Sequence, residues 1–282
     1  MMVERAGWRV RTLKLWLPMG VYMLFTLFPF YWMAVTSLKP NSELYNRKIM
    51  PLIVYHPTLK HFVDLLSETH FLLWTWNTFL VAVVSTTISL VFGVMLAYPL
   101  ARLRFAGAAL ISFAVAATYL VPQPLLFIPL ADIINHLGLN DTLTSVMLTY
   151  PTLLIPFCAW LLMGYFRSVP AELEDAARID GATRLQTMFK VFLPLCIPGF
   201  ISAGIFAFTL AQNEFLYALI FLTQTDVRTV PVGAISELVK GDVFYWGQLM
   251  AAALLGSVPV AVIYSFFVEH YVAGLTAGAV KQ

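Results

Sequence analysis

Long uncharged apolar runs, separated by short polar stretches, set the pattern of this 282-residue chain. The first run covers Leu15 to Leu38. Five more follow at Phe71–Leu100, Ala108–Leu130, Thr142–Phe166, Val191–Leu222 and Val243–Val268. None contains Asp, Glu, Lys or Arg except the fifth of the six, which holds Glu214. About 20 consecutive apolar residues are enough for a helix to cross a bilayer. The pattern therefore predicts an all-α membrane protein with six transmembrane helices, preceded by a short polar segment at residues 1–14.

One long charged segment interrupts this pattern, Ser168 to Pro194, and it has the shape of two helices with a break. Ser168 as a capping hydroxyl and Pro170 with its preset φ are start signals. Glu172, Glu174 and Asp175 crowd the first turns, where acids interact favourably with the helix dipole. Leu173, Ala176, Ala177 and Asp180 share a narrow face of small residues, and Gly181 supplies a left-handed cap. Thr183 to Gln186 forms a capping box. Leu185, Met188, Phe189, Phe192 and Leu193 follow as an amphipathic stripe. A short helix, a glycine elbow and an interfacial helix thus lead back into the membrane.

Composition agrees with the membrane reading. The chain is 60% hydrophobic and 11% charged, against about 25% charged for ordinary globular chains. A net charge of +2 is too small to imply a nucleic-acid partner, and no basic cluster or RNA-binding signature occurs. Cys158 and Cys196 lie in apolar runs and read as small buried hydrophobes rather than a disulfide or metal pair. His56, His61 and His70 are scattered through the polar loop 39–70 without metal-ligand spacing and read as surface residues. His136 and His270 read as interfacial. No phosphate-binding loop, serine elbow or H-E-x-x-H occurs, so the chain has no P-loop ATP site of its own. The first apolar run is too long for a cleaved signal peptide, whose core spans about 7–15 residues. It reads as an uncleaved first span.

Orientation follows from the Lys and Arg distribution. With the N-terminus in the cytoplasm, the inner segments hold Arg5, Arg9, Arg11, Lys14, Arg102, Arg104, Arg167, Arg178, Arg184, Lys190 and Lys281. The outer segments hold only Lys39, Arg47, Lys48, Lys60, Arg228 and Lys240. Both termini and the charged elbow are therefore expected on the cytoplasmic side.

Within the spans, prolines and a few polar groups stand out. Pro122, Pro124 and Pro129 fall in the third span, Pro151 and Pro156 in the fourth, Pro194 and Pro198 in the fifth, and Pro259 in the sixth. Each frees a carbonyl that neighbouring helices or cavity water must satisfy, and the cluster VPQPLLFIP predicts a pore-lining bend. Gln212, Asn213 and Glu214 form the one polar cluster inside a span. An ionisable residue there is a functional candidate by default. Three readings stay open for it: contact with a polyhydroxylated solute, pairing with a partner subunit, or exposure to water at the span's end. Asn77, beside Trp74 and Trp76, and Gln123, between two prolines, are further candidates for a solute pathway.

Asp175-Ala176-Ala177, Gly181 and Val191-x-Leu193-Pro194 together resemble the EAA loop of ABC-importer permeases. That pattern reads E-A-A, three residues, G, nine residues, I-x-L-P. The spacing agrees throughout, with Asp175 for Glu and Val191 for Ile as the two departures. The fuller wording PAELEDAARIDGAT, with Trp160-Leu161-Leu162 upstream and Ala273 to Lys281 at the end, is similar to the maltose-type carbohydrate permeases over nearly the whole chain. Asn213-Glu214-Phe215 also matches, although Gln212 stands where that family often has Trp.

The resemblance implies a type I ABC-importer permease fold over residues 15–282, with a coupling helix inside the EAA-like loop 168–194. Carried over, Asp175, Ala176, Ala177 and Gly181 would dock in a cleft of an ATPase subunit, and Glu174 and Asp180 would pair with its basic groups. The implied partners are a second homologous permease, an ABC ATPase homodimer holding ATP and Mg, a periplasmic or surface-tethered solute-binding protein, a sugar-like solute and membrane lipid. This places the chain in a bacterial cytoplasmic membrane and gives it no covalent chemistry. An amino-acid or peptide importer, an intramembrane enzyme and a purely structural membrane subunit are the alternatives. The enzyme would need a polar partner for Glu214.

Overall fold

The structure is a computed structural model that describes the backbone of residues 2–277 and the side chains of residues 14–268. The side chains of Arg5, Arg9, Arg11 and His270, and all of Gly278 to Lys281, lie outside the described residues. The chain is helical almost throughout. It runs α1 (Met2–Leu38), α2 (Asn41–Leu44), α3 (Lys60–Glu68), α4 (Phe71–Arg102), α5 (Ala108–Thr118), α6 (Gln123–His136), α7 (Leu143–Thr149), α8 (Pro151–Ser168), α9 (Glu172–Ile179) and α10 (Arg184–Thr187). A π-helical turn at Met188–Phe192 follows, then α11 (Leu193–Leu195), α12 (Ile197–Gln212), α13 (Leu216–Phe221), a 3₁₀ turn at Thr225–Val227, α14 (Val230–Leu238) and α15 (Trp246–Ala277). Before α15 a two-residue antiparallel ladder, β1 (Val239–Lys240) with β2 (Val243–Phe244), departs from the all-helical expectation. Gly241, with φ 61°, makes its turn.

Among the described residues, four helical stretches are long and apolar enough to span: 14–38, 71–102, 143–168 and 246–268. The other two expected spans are each broken. α5 and α6 meet at 93°, and the Arg184–Leu195 segment meets α12 at 71°, so the count reaches six if each bent pair is one crossing. Proline chemistry explains both breaks. Pro122 is extended (φ −60°, ψ 126°) and disfavours helical geometry at Val121. Pro198, in the first turn of α12, has no N–H to bond the Pro194 carbonyl, and the helix breaks at Cys196 (φ −91°, ψ 3°); upstream, Pro194 likewise has none to bond the Lys190 carbonyl. The chain responds with the π turn Met188–Phe192 just before it. The bend expected from the VPQPLLFIP cluster is present, sharper than a kink.

The chain divides into two compact units, Met1–Phe71 with Ala234–Val258, and Leu72–Gly233 with Pro259–Gln282. In the first, Lys39 and Glu43 are buried and organise the loop that follows α1. Lys39 Nζ donates to the Met50 and Pro51 carbonyls at 3.1 and 2.7 Å. Glu43 accepts from the Tyr55 and His56 N–H groups at 3.1 and 2.9 Å, and its Oε1 lies 2.7 Å from His56 Nδ1. Burial raises the Glu43 pKa, but the Tyr55 N–H and the His56 side chain and N–H outweigh it and hold the carboxyl below its ordinary value. His61 is buried rather than on the surface, with Nε2 2.8 Å from the Lys39 carbonyl. Its ring fills the space a side chain at Gly247 would need.

The second unit contains two apolar cores. One gathers Val81, Ile134, Val146, Tyr150, Leu154, Phe208 and Tyr217; the other gathers Tyr98, Val115, Leu162, Phe166, Phe192 and Ala203. α4 and α8 come close enough that a Cβ on Gly93 would lie 2.9 Å from Cys158 Cβ. Small residues at helix contacts are how membrane helices approach each other, since lipid provides no hydrophobic drive between them.

Candidate functional site

The charged elbow folds as a short helix, a turn and a second helix, as its sequence signals predict, with one correction at its start. α8 continues through Ser168, whose hydroxyl donates to the Tyr165 carbonyl at 2.7 Å, so it does not cap α9. α9 begins at Glu172 with no side-chain cap. Its C-terminus is a Schellman motif. The Gly181 N–H bonds the Arg178 carbonyl at 3.0 Å and the Ala182 N–H bonds the Ala177 carbonyl at 3.0 Å. That geometry requires φ of 86° at Gly181, which a glycine adopts without a Cβ penalty. The capping box then starts α10. The Gln186 N–H donates to Thr183 Oγ1 at 3.3 Å and the Thr183 N–H to Gln186 Oε1 at 2.9 Å.

α9 presents most of its surface to the outside. Leu173, Asp175, Ala176, Asp180 and Gly181 are exposed, Ala177 is half-buried, and Ile179 is 86% exposed. Leu185 and Phe189 of the amphipathic stripe are also exposed, whereas Phe192 is buried. Asp175 and Arg178 form an exposed i,i+3 pair at 3.6 Å, of a kind worth about 0.2–1 kcal/mol. An apolar, small-residue and acidic surface is therefore held out on a capped elbow.

Glu174 does not belong to that surface, and its expected pairing with an outside partner is corrected. It is the one buried residue of α9. Its Oε1 accepts from Arg102 Nε and its Oε2 from the Tyr98 hydroxyl at 3.2 Å. The same guanidinium donates to the Phe166, Val169 and Pro170 carbonyls at 3.3, 2.8 and 3.4 Å and lies 5.1 Å from the centre of the Phe192 ring. Arg102 reads in the sequence only as a loop charge. The available signal is its spacing of four from Tyr98 at the end of an apolar helix, which puts both on one face.

The five pathway candidates are not brought together into one site. Asn77 is 3% exposed, and its Nδ2 donates to the Asp226 and Arg228 carbonyls at 2.9 and 3.0 Å. Trp74 Nε1 donates to the Thr225 carbonyl at 2.9 Å, and Thr78 Oγ1 accepts the Val230 N–H at 2.8 Å. These three α4 residues hold the 225–230 backbone, a role the sequence reading missed. Glu214 is half-buried and caps α13, accepting the Tyr217 and Ala218 N–H groups at 2.9 and 3.1 Å. Gln212 is half-buried at the end of α12, and Asn213 is exposed, with Nδ2 bonded to the Thr209 carbonyl at 2.8 Å. Gln123 is exposed at the first turn of α6, at the 93° bend.

A fourth clamp, on the two residues just before the 225–230 segment, was also missed. Asp141, at φ 54°, accepts the Thr223 N–H at 2.6 Å, the Thr223 hydroxyl at 2.8 Å and the Gln224 N–H at 3.1 Å. Partial burial raises its pKa, but these donors outweigh that and hold it below the ordinary value of 3.8.

Residues 89–276 match the family described as "Binding-protein-dependent transport system inner membrane component". Over 256 residues the chain is 41% identical to the sulfoquinovosyl glycerol transport system permease protein SmoH of Agrobacterium fabrum, covering 90% of this chain and 89% of that protein. It is 35% identical over 258 residues to the trehalose/maltose transport system permease protein MalG of Thermococcus litoralis, covering 90% and 91%. In structure it is similar to a chain of a bacterial ABC transporter involved in the import of the acidic polysaccharide alginate. The TM-score is 0.79, at 21% identity and 93% and 97% coverage.

Proposed function

The chain belongs to the family of binding-protein-dependent transport system inner membrane components, and on that premise we propose what it carries, which way it faces and which residues couple it to its motor. It is a multi-pass inner-membrane permease subunit of an ATP-driven importer, a pore component and not an enzyme, working with a solute-binding protein.

The solute is a saccharide or sugar derivative. The printed substrates of the similar permeases, sulfoquinovosyl glycerol and trehalose or maltose, support this class. This chain forms half of the pathway beside a second, homologous permease. A pair of ABC ATPase subunits holds ATP and Mg, and a periplasmic or surface-tethered protein delivers the solute. Lipid meets the exposed apolar faces of α1 and α15, where Phe25 and Phe266 are 80% and 75% exposed. Both termini and α9 face the cytoplasm, in line with the excess of Lys and Arg on that side.

The observation that carries the coupling assignment is the exposed α9 elbow between two membrane-crossing segments. Asp175, Ala176, Ala177, Asp180 and Gly181 form the surface that docks on the ATPase, the alanines permitting close approach, while Glu174 fastens that surface to the chain from behind. Closure of the ATP-bound motor then displaces α9, and the pathway alternates between its two faces. Along the pathway, the exposed carboxamides of Gln123 and Asn213 offer hydrogen bonds to solute hydroxyls, with Gln212 beside them. Asn77 and Glu214 serve the backbone instead.

Co-expression with the neighbouring genes, extraction in mild detergent and mass spectrometry of what co-purifies tests the assembly. A P-loop ATPase, a second six-helix permease and a binding protein that binds a sugar are the expected companions. A chain that comes down alone, or only with itself, sinks the reading.

A further inference from the structure

α9 lacks the usual attachment of a helix to its protein. A helix held by packing buries an apolar stripe, yet Leu173 and Ile179 are 42% and 86% exposed, and the one buried residue of α9 is the charged Glu174. Both of its carboxylate oxygens are occupied, one by Arg102 and one by Tyr98. Arg102 is the last residue of α4, and its remaining donors cap the carbonyl end of α8 at Phe166 and Val169, while its flat face meets Phe192 of the π turn. One guanidinium therefore ties α9 to α4, to α8 and to the segment that leads into α12.

We propose that the Arg102–Glu174 ion pair is the strut by which a displacement of α9 is delivered to the spanning helices, with Tyr98 positioning the carboxylate. Separating two buried charges leaves each without a partner in a low-dielectric site, which is strongly unfavourable. The pair therefore stays closed while α9 moves, and α4 and α8 move with it. The exposed Asp175–Arg178 pair is water-screened and holds nothing in this way. The inference rests on the reading of α9 as the surface that meets an ATPase.

The test is Glu174→Gln, which keeps the shape and removes the charge, in the complete complex reconstituted into vesicles. Co-purifying ATPase, ATP hydrolysis and solute uptake are measured together. The ATPase is expected to remain bound and active while solute imported per ATP falls about tenfold, inside the roughly 5- to 150-fold range over which one site biases another. Unchanged uptake per ATP overturns the strut. So does loss of the ATPase from the complex, because Glu174 then serves docking. A wild-type chain that retains no ATPase at all defeats the permease assembly instead, so the two failures are distinguishable.

Should Glu174→Gln not reach the membrane, the double variant Arg102→Cys/Glu174→Cys decides. A short bifunctional thiol reagent joins the two positions, and the native Cys158 and Cys196 are fully buried. Joining is expected to restore uptake per ATP. No change, or a further loss, overturns the proposal, since a side chain that only stabilises the fold is not replaced by a tether.

Discussion

Polar residues inside apolar helices read as functional because burying them is costly, yet Asn77 shows that backbone can be the partner. Its carboxamide holds the Asp226 and Arg228 carbonyls. Asn77→Ala leaves both buried acceptors without that donor, at about 1–3 kcal/mol. The amount of folded protein extracted is expected to fall while the KM of uptake by the surviving fraction is unchanged. A raised KM with normal yield returns Asn77 to the solute pathway. Asp141 makes a prediction in pH. Its folded pKa lies below 3.8, so its contribution to stability is fully present above that value and disappears as pH falls through the folded pKa. The wild-type chain in detergent is expected to melt higher than Asp141→Asn, which tolerates the same φ, at neutral pH, by about 1–2 kcal/mol of stability, with the gap closing below pH 3.8. A gap that persists at low pH removes the carboxylate from the explanation.

At the scale of the element, α9 combines legible and illegible features. Its glycine end, its capping box and its acidic first turn are local, governed by residues within five positions of each other, and they are readable from spacing alone. Which face turns inward is not. Spacing puts Leu173 with the alanines and leaves Glu174 on another face, but it does not say that the acid is the buried one. That is decided by Arg102, seventy-two positions away. Asp175→Lys places a longer, opposite charge on the α9 surface proposed to dock, and Gly181→Val puts a β-branched side chain at φ 86°, a left-handed conformation that costs roughly 1–2 kcal/mol for ordinary side chains. Both variants are expected to retain normal amounts of chain in the membrane and to lose uptake. Normal uptake in both removes α9 from coupling. The broken spans make the same point for helices. A hydropathy window sees six apolar runs, while proline geometry bends two of them by 93° and 71°.

For the molecule as a whole, orientation and driving force are open to direct measurement. Single cysteines replacing Arg178 and Lys240 are expected to react with impermeant thiol reagents from opposite sides of the membrane, Arg178→Cys only after the inner face is opened. Reaction from the same side reverses the charge-based orientation. Uptake into reconstituted vesicles is expected to need ATP on the side of α9 and the loaded binding protein on the other. Exchanging that protein for one of different sugar specificity is expected to change which solutes enter.

A helical membrane protein whose apolar runs are interrupted by a charged elbow is legible from residue order alone, because bilayer thickness and helix caps act over short stretches of chain. The spacing of the elbow also pointed to the family, since its pattern of small and acidic residues is local in the chain. Which polar groups face outward depends on contacts between distant segments. Asn77, Glu214 and Glu174 read in one dimension as candidates for solute or partner contact, and each meets a backbone or a guanidinium in three. The physical reason is common to them. A buried polar atom must find a partner, and for Asn77 and Glu174 that partner lies on a segment distant in the chain, which hydrophobic periodicity does not encode.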